Sequence, residues 1–388
     1  MKNKTMFLLW LGAAISVSEI FTGGLLAPLG IAKGIAIIVV GHLIGTGLLA
    51  FGAYVSYSRK MNAMDSVGFS LGKTGGKIVA VINLIQLIGW IIILVVQSGK
   101  VISVILPNIP FWSITLCLSV LQIVWAIIFG SPGSRMNDVA VILLSALCLS
   151  FFAEIYGYNQ APVVLTENVN IILGIELSIA MPVSWLPLVG DHSHKVDNKI
   201  CATGMPFLGY FVGSTLMYIL GLLITITSGK DIFDFIGSSK FKYIACGVVL
   251  LSTITTNFVA LYSAAISSTQ LTKYDSIQKK IIKVGMITLI FAVFFPVERF
   301  SLVLEKFLTS IDMIFVPIFT VIFLEFLSNK TRFEKTINWK LIIIAFAGMI
   351  GNLLFSKYNI FIPTIMSILL ITVLFSVANY IGSKKLQK

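Results

Sequence analysis

The chain has 388 residues, 57% of them hydrophobic and 11% charged, with a mean hydropathy of +0.98 and a formal net charge of +12. No water-soluble fold covers that much apolar surface, so a soluble enzyme or binding domain is excluded. The basic residues sit in short stretches between apolar runs, which suits membrane topology and anionic lipid and argues against nucleic-acid binding.

A helix needs about 20 apolar residues to cross the ~30 Å hydrocarbon core. In chain order, segments 6–27, 31–57, 77–105, 111–130, 137–156, 169–189, 201–227, 243–268, 280–296, 301–327, 339–356 and 360–382 qualify or come close. They predict an all-α integral membrane protein of twelve transmembrane helices with no room for a separate soluble domain. The start, Met-Lys-Asn-Lys-Thr and then an apolar run, has the form of a secretory signal. We read it as an uncleaved first span, because the run is long and eleven more follow. With the N-terminus in the cytoplasm, 20 Lys and Arg fall on the cytoplasmic side and 8 elsewhere. The cytoplasmic set includes Lys2, Arg59, Lys60, Lys195, Lys273, Lys330, Arg332, Lys335 and Lys388. The stretch 228–242 departs from the pattern with three Lys. The alternation puts both termini in the cytoplasm. Cys117, Cys148, Cys201 and Cys246 all fall inside spans and read as small packing residues.

Segments one and six stand apart. The first runs from Gly12 to Gly24 with Ser16, Ser18, Glu19 and Thr22 deep inside, and Pro28 closes it. The sixth runs from Ser178 to Asp191 and carries Met181, Pro182, Trp185 and Pro187. Pro removes a backbone donor and crowds the preceding turn, so both segments are expected to be interrupted. Unwound backbone survives in a bilayer only inside protein or beside a watery cavity. The pairing of interrupted helices in corresponding halves marks the substrate site of inverted-repeat transporters. Glu19 lies roughly 20 Å past the start of its span, at ~1.5 Å per residue. A carboxylate there costs ~2.5–3.5 kcal/mol on the lenient insertion scale, so it is expected to face a cavity or a partner. Glu154, Glu176, Glu305 and Glu325 lie nearer span ends and read as interfacial. Asp312 and His42 lie deeper, as packing contacts or relays.

Segment eight holds Ser252, Thr253, Thr255, Thr256 and Asn257, followed by Tyr262 and Ser263. Ser252, Thr255 and Thr256 share one helical face. Such oxygens suit a hard cation such as Na⁺, and equally suit hydrogen bonding between membrane helices. Gly68–Thr74 is one residue short of a Walker A loop and reads as a cytoplasmic loop. His192 and His194 beside Asp191 read as a solvated helix end. The scattered acids, with no converging Ser, His and acid, argue against an enzyme. No filter-like repeat argues for a channel.

Taken together, Gly12–Gly24 ending in Thr-Gly-Gly, Gln86-Leu-Ile-Gly-Trp90, Ser184-Trp-Leu-Pro-Leu-Val-Gly-Asp191, Thr255-Thr-Asn257 and Tyr262-Ser263 resemble the nucleobase:cation symporter-1 family, the purine–cytosine permeases. Nearly the whole chain takes part, and the branch assigned to hydroxymethylpyrimidine, a thiamine precursor, is the one it looks most like. The resemblance implies a five-plus-five inverted repeat with two further helices: 1–156 (helices 1–5), 157–328 (helices 6–10) and 329–388 (helices 11–12). It implies Na⁺ held by backbone carbonyls of Gly12 and Ile15 with the hydroxyls of Ser252, Thr255 and Thr256, or H⁺ in its place. It further implies a flat heterocycle stacked on Trp90 and hydrogen-bonded by Asn257, with Ser16, Glu19, Gln86, Met181, Pro182 and Trp185 around it. Relatives carry an aromatic where this chain has Pro182, so Trp185 is the residue left to form a second stacking face. The implied function is symport of a pyrimidine across the cytoplasmic membrane. A cytosine or other nucleobase permease, a proton-coupled version and a non-transporting receptor are the alternatives. No enzymatic cofactor and no obligate protein partner are implied. The partners are the small substrate and the lipid bilayer.

Overall fold

A computed structural model describes residues 3–128, 135–157, 170–269, 275–328 and 336–386. Lys2, Lys273, Lys330, Arg332, Lys335 and Lys388 lie outside the described residues. The fold is all-helical, and every apolar segment of the sequence forms a helix or a broken helix. In chain order these are α1 (Asn3–Ala14), α2 (Val17–Leu25), α3 (Ile31–Arg59), α4 (Ala63–Ile105), α5 (Phe111–Ile128), α6 (Arg135–Tyr156), α7 (Ile171–Val183) and α8 (Leu186–Ser193). They continue with α9 (Met205–Ser228), α10 (Ile232–Ser238), α11 (Lys242–Thr269), α12 (Ile277–Val293), α13 (Phe300–Leu327), α14 (Trp339–Lys357) and α15 (Pro363–Leu386). Among the described residues, nine spans are long and apolar enough to cross a bilayer, ten when α1 and α2 count as one bent span. The expected twelve are therefore not all met by length and composition; α12, for one, has only 17 residues.

Polarity runs opposite to that of a soluble protein. Large apolar side chains point outward, such as Ile142 at 61% and Phe346 at 62% exposure, while Ser18, Thr22, Asn83, Gln97 and Asn257 are buried. That arrangement places the apolar exterior against hydrocarbon and gathers polar groups where they satisfy one another.

Segment one breaks without a proline. Ser16 is extended, at φ −147° and ψ 158°, and its Oγ accepts from the Glu19 amide at 3.3 Å. It thereby caps α2, which leaves α1 at an angle of 53°. Pro28, expected to close the span, lies beyond it in a short 3-10 turn, Ala27–Leu29. Segment six is broken more gently. Ser184 and Trp185 keep right-handed helical dihedrals between α7 and α8, so Ile171–Ser193 remains one span. Pro182 sits inside α7, and Pro187 falls in the first turn of α8, where a missing N–H costs nothing. The stretch Gly68–Thr74, expected as a loop, is helical with a break at Gly72, whose φ of 83° favours glycine. The break frees Leu71 O and Thr74 N for bonds to Asn338 N and Thr336 O, each 2.9 Å.

The bundle is assembled by small residues. α1 and α2 lie along α9, α3 packs on α7, α8 and α9, and α4 packs on α11. A Cβ on Gly221 would fall 1.7 Å from Ile20 O, and one on Gly23 would fall 2.2 Å from Tyr218 O. Only glycine lets these two backbones approach so closely. Gly221→Ala is therefore expected to force α2 away from α9. The variant should lose about 1–3 kcal/mol of stability, the usual range for an overpacked core, read as earlier thermal unfolding in detergent. A variant as stable as the wild type would show that the two helices do not meet there.

Candidate substrate-binding site

The break between α1 and α2 opens on a small cavity. Six of the eight expected substrate residues line it: Ser16, Glu19, Gln86, Trp90, Met181 and Trp185. Ser184, Tyr210 and Thr256 join them. Trp90 projects from α4 with its ring edge-on to Phe307 at 5.3 Å, an approach that Gly89 makes possible, since a Cβ there would lie 2.5 Å from that ring. Trp185, at the break of segment six, is edge-on to Trp10 at 6.0 Å. Gln86 Nε2 donates to Ser184 O at 2.6 Å, which uses a carbonyl at that break, while Gln86 Oε1 has no partner among the described residues. An unpaired acceptor in a cavity wall is a group that a ligand donor satisfies.

Two expected substrate residues are not brought there. Asn257 is fully buried and its Nδ2 donates to Gln122 Oε1 at 2.6 Å, so it is turned toward α5. Pro182 packs on helix α3, where a Cβ on Gly45 would lie 2.4 Å from the Pro182 ring.

The cation residues divide in the same way. Gly12 and Thr256 face a second cavity, which adjoins the first through Ala13, Trp185 and Leu188. Ile15, Ser252 and Thr255 line neither cavity. Thr255 Oγ1 donates its hydrogen to its own helix, with Leu251 O at 3.0 Å and Ser252 O at 2.9 Å, and keeps its lone pairs. Hydroxyl periodicity alone does not distinguish such back-bonding from ligation.

Glu19 is the centre of a polar network that the sequence did not reveal. Tyr210 donates to its Oε1 at 2.7 Å, and Ser214 Oγ lies 2.6 Å from its Oε2. Ser214 also bonds His42 Nε2, and His42 Nδ1 lies 2.8 Å from Ile38 O. Tyr210 and Ser214 are one helical turn apart on α9; that spacing beside Gly209 and Gly213 was the available signal. A serine, a histidine and an acid do converge here, against expectation. Ser214 stands between the other two, however, whereas a hydrolytic triad needs the histidine in the middle.

Other acids also differ from expectation. Glu176 is buried and accepts from Thr364 N at 3.0 Å and Thr364 Oγ1 at 2.8 Å. Glu325 is buried in an ion pair with Arg59. Asp312 is buried with neither oxygen hydrogen-bonded among the described residues. The segment Asp191–His194 is a packed helix end and not a solvated one. Asp191 accepts from Ala63 N at 3.1 Å, His192 is edge-on to Trp10 at 6.1 Å, and His194 bonds Gly190 O at 2.7 Å.

No protein-family model matches the chain, and no curated protein matches it. Solved structures do. The chain is similar to Mhp1, a nucleobase-cation-symport-1 family transporter, in a closed conformation with bromovinylhydantoin bound: TM-score 0.78, 15% identity, 96% of this chain and 92% of that one covered. It is similar to the inward-facing conformation of Mhp1 at a TM-score of 0.79, with 15% identity, 97% of this chain and 90% of that one covered. A Na⁺-coupled sialic acid symporter follows the same fold at a TM-score of 0.65, with 11% identity over 96% of this chain and 88% of that one. The fold that the resemblance implies, shared by these structures, is thus the fold of this chain.

Proposed function

We propose that the chain is a secondary active transporter of the nucleobase:cation symporter-1 type. It carries a pyrimidine-type heterocycle across the cytoplasmic membrane by cation symport with alternating access. One observation carries the reading: Trp90 and Trp185 wall a cavity at the break of a membrane helix, beside the unpartnered Gln86 Oε1. Two indoles offer stacking faces to a flat ring, and broken helices near the bilayer midplane are where inverted-repeat transporters hold substrate. Hydroxymethylpyrimidine is our first choice of substrate. Its exocyclic amine suits Gln86 Oε1, and Glu19 Oε1 keeps a lone pair for a second amine hydrogen. We assign the two repeats to 1–156 and 157–328, the added helices to 329–388, and both termini to the cytoplasm on the distribution of Lys and Arg.

The test is uptake of radiolabelled hydroxymethylpyrimidine into proteoliposomes, with cytosine and hydantoin as competitors. Concentrative uptake of hydroxymethylpyrimidine supports the reading, and preference for cytosine moves the substrate within the class. Binding without uptake makes the protein a receptor. For the ion, Gly12 O and Thr256 Oγ1 are the proposed Na⁺ contacts that share a cavity. Thr256→Val is nearly isosteric and is expected to abolish stimulation of uptake by a Na⁺ gradient while leaving thermal stability intact. Undiminished stimulation would remove Thr256 from the ion site.

A further inference from the structure

We infer that Glu19, Ser214 and His42 together hold one exchangeable proton, and that this proton is a coupling ion of transport. The first clause stands on hydrogen-bond geometry. The second rests on the transport reading above.

His42 Nδ1 lies 2.8 Å from Ile38 O, and a carbonyl only accepts, so Nδ1 carries hydrogen. Nε2 therefore decides the protonation state, and it faces Ser214 Oγ. The same Oγ lies 2.6 Å from Glu19 Oε2. A serine hydroxyl has a single hydrogen to donate. If Glu19 were a carboxylate and His42 neutral, two acceptors would compete for that hydrogen. One contact would then set lone pair against lone pair, with all three side chains buried.

Adding one proton completes the chain in either of two forms. In one, the Glu19 acid O–H donates to Ser214, which donates to His42 Nε2. In the other, His42 Nε2–H donates to Ser214, which donates to the Glu19 carboxylate. The two forms have the same proton count and zero net charge, and they interconvert by shifting one hydrogen along each bond. Tyr210 donates to Glu19 Oε1 in both. A neutral or internally compensated set avoids most of the cost of a lone buried charge.

The surroundings supply no counter-charge in place of the proton. From α9, Tyr218 lays its ring edge against His42 at 4.6 Å and donates its hydroxyl to Leu177 O. From α7, Glu176 is engaged by Thr364. From α13 comes Asp312, itself acidic. From α4, Lys100 lies over the Phe233 and Phe300 rings, and Asp191 and His192 of α8 are committed to Ala63 and Trp10. Among the described residues no lysine or arginine forms an ion pair with Glu19.

The placement of the set connects the proton to substrate. Glu19 lines the cavity, and Ser214 and His42 stand behind it. When the cavity is open to one side, water at Glu19 delivers the proton; when it opens to the other, water at Glu19 removes it. A substrate that fills the cavity excludes water from Glu19, which penalises the charged, proton-free set and favours the protonated one, and so ties the two cargoes together.

Two measurements on the full-length protein test this. The first needs no substrate. Infrared spectra of the purified protein at neutral pH are expected to show the carbonyl stretch of a protonated carboxyl that is lost in Glu19→Gln and displaced in Ser214→Ala. If Glu19 contributes only carboxylate bands and the His42 ring vibrations are those of a neutral imidazole, the set holds no extra proton and the inference is overturned whatever transport does. The second measurement is uptake of radiolabelled hydroxymethylpyrimidine in proteoliposomes with equal sodium on both sides and an alkaline interior. The wild type is expected to accumulate it, and His42→Gln to exchange it between equal pools while its pH-driven accumulation falls to equality inside and out. Accumulation in His42→Gln at the wild-type level, or a wild type indifferent to the pH gradient, overturns the coupling. An intact Glu19 band with no uptake of any probe would instead sink the transport reading, and with it the coupling clause.

Discussion

Arg59→Leu is expected to destabilise the protein by about 3 kcal/mol, the low end of the range for stranding one partner of a buried ion pair. Arg59 ends α3, and its Nη2 lies 2.7 Å from Glu325 Oε2 on α13, with side chains only 7% and 5% exposed. Ser70 of α4 donates to the same oxygen at 2.6 Å. Arg59 Nη1 reaches Ser66 O at 2.9 Å and Ser70 Oγ at 3.0 Å, and the guanidinium lies 4.4 Å from the centre of the Phe69 ring. Three helices are thus tied at one point. Removing the arginine leaves a carboxylate in an apolar setting with only a serine to satisfy it. Thermal unfolding in detergent reads the effect, and the double replacement Arg59→Leu with Glu325→Leu is expected to recover most of the loss, because no unpaired charge remains. A single variant that melts with the wild type would mean that water reaches the pair.

Trp90→Ala is expected to raise the dissociation constant for hydroxymethylpyrimidine tenfold or more. Stacking of a base on an aromatic side chain is worth ~1–3 kcal/mol. Phe307 holds the Trp90 ring edge-on at 5.3 Å, so its face is pre-set and little rotamer freedom is lost on binding. Trp90→Phe keeps a ring in place and is expected to cost much less. Equilibrium binding of the radiolabelled compound to purified protein separates the two variants. Small and equal losses in both would mean that Trp90 packs on Phe307 and does not touch the substrate.

Much of the site was legible because membrane insertion penalises polarity residue by residue. Glu19 stood out as an acid deep in an apolar run, and the interruptions of segments one and six were visible as Ser, Gly and Pro where Leu or Ile would be expected. The first break has another cause than the proline that the sequence suggests: Ser16 caps α2. The resemblance places Asn257 against substrate, whereas in the fold its Nδ2 donates to Gln122 of α5, a partner that no local feature of α11 announces. Tyr210 and Ser214, a turn apart on α9, look ordinary within that helix. They acquire meaning only from Glu19, 191 and 195 positions away in the chain.

A helical membrane protein, the course of most of its spans, the interruption of the first and the position of a costly acid can all be read from the chain alone, whereas the helix over Gly68–Thr74 and its break at Gly72 cannot. The legible properties follow from hydrophobic transfer and backbone hydrogen bonding, which act within a span. Which polar groups meet is a property of the packed bundle. Between helices in lipid there is no hydrophobic gradient to orient one face toward another, so rotation and approach are set by contact. The bare backbones of Gly23 and Gly221 bring α2 onto α9 and so deliver Glu19 to Tyr210 and Ser214. Close packing of that kind depends on both surfaces at once, and neither helix states it alone.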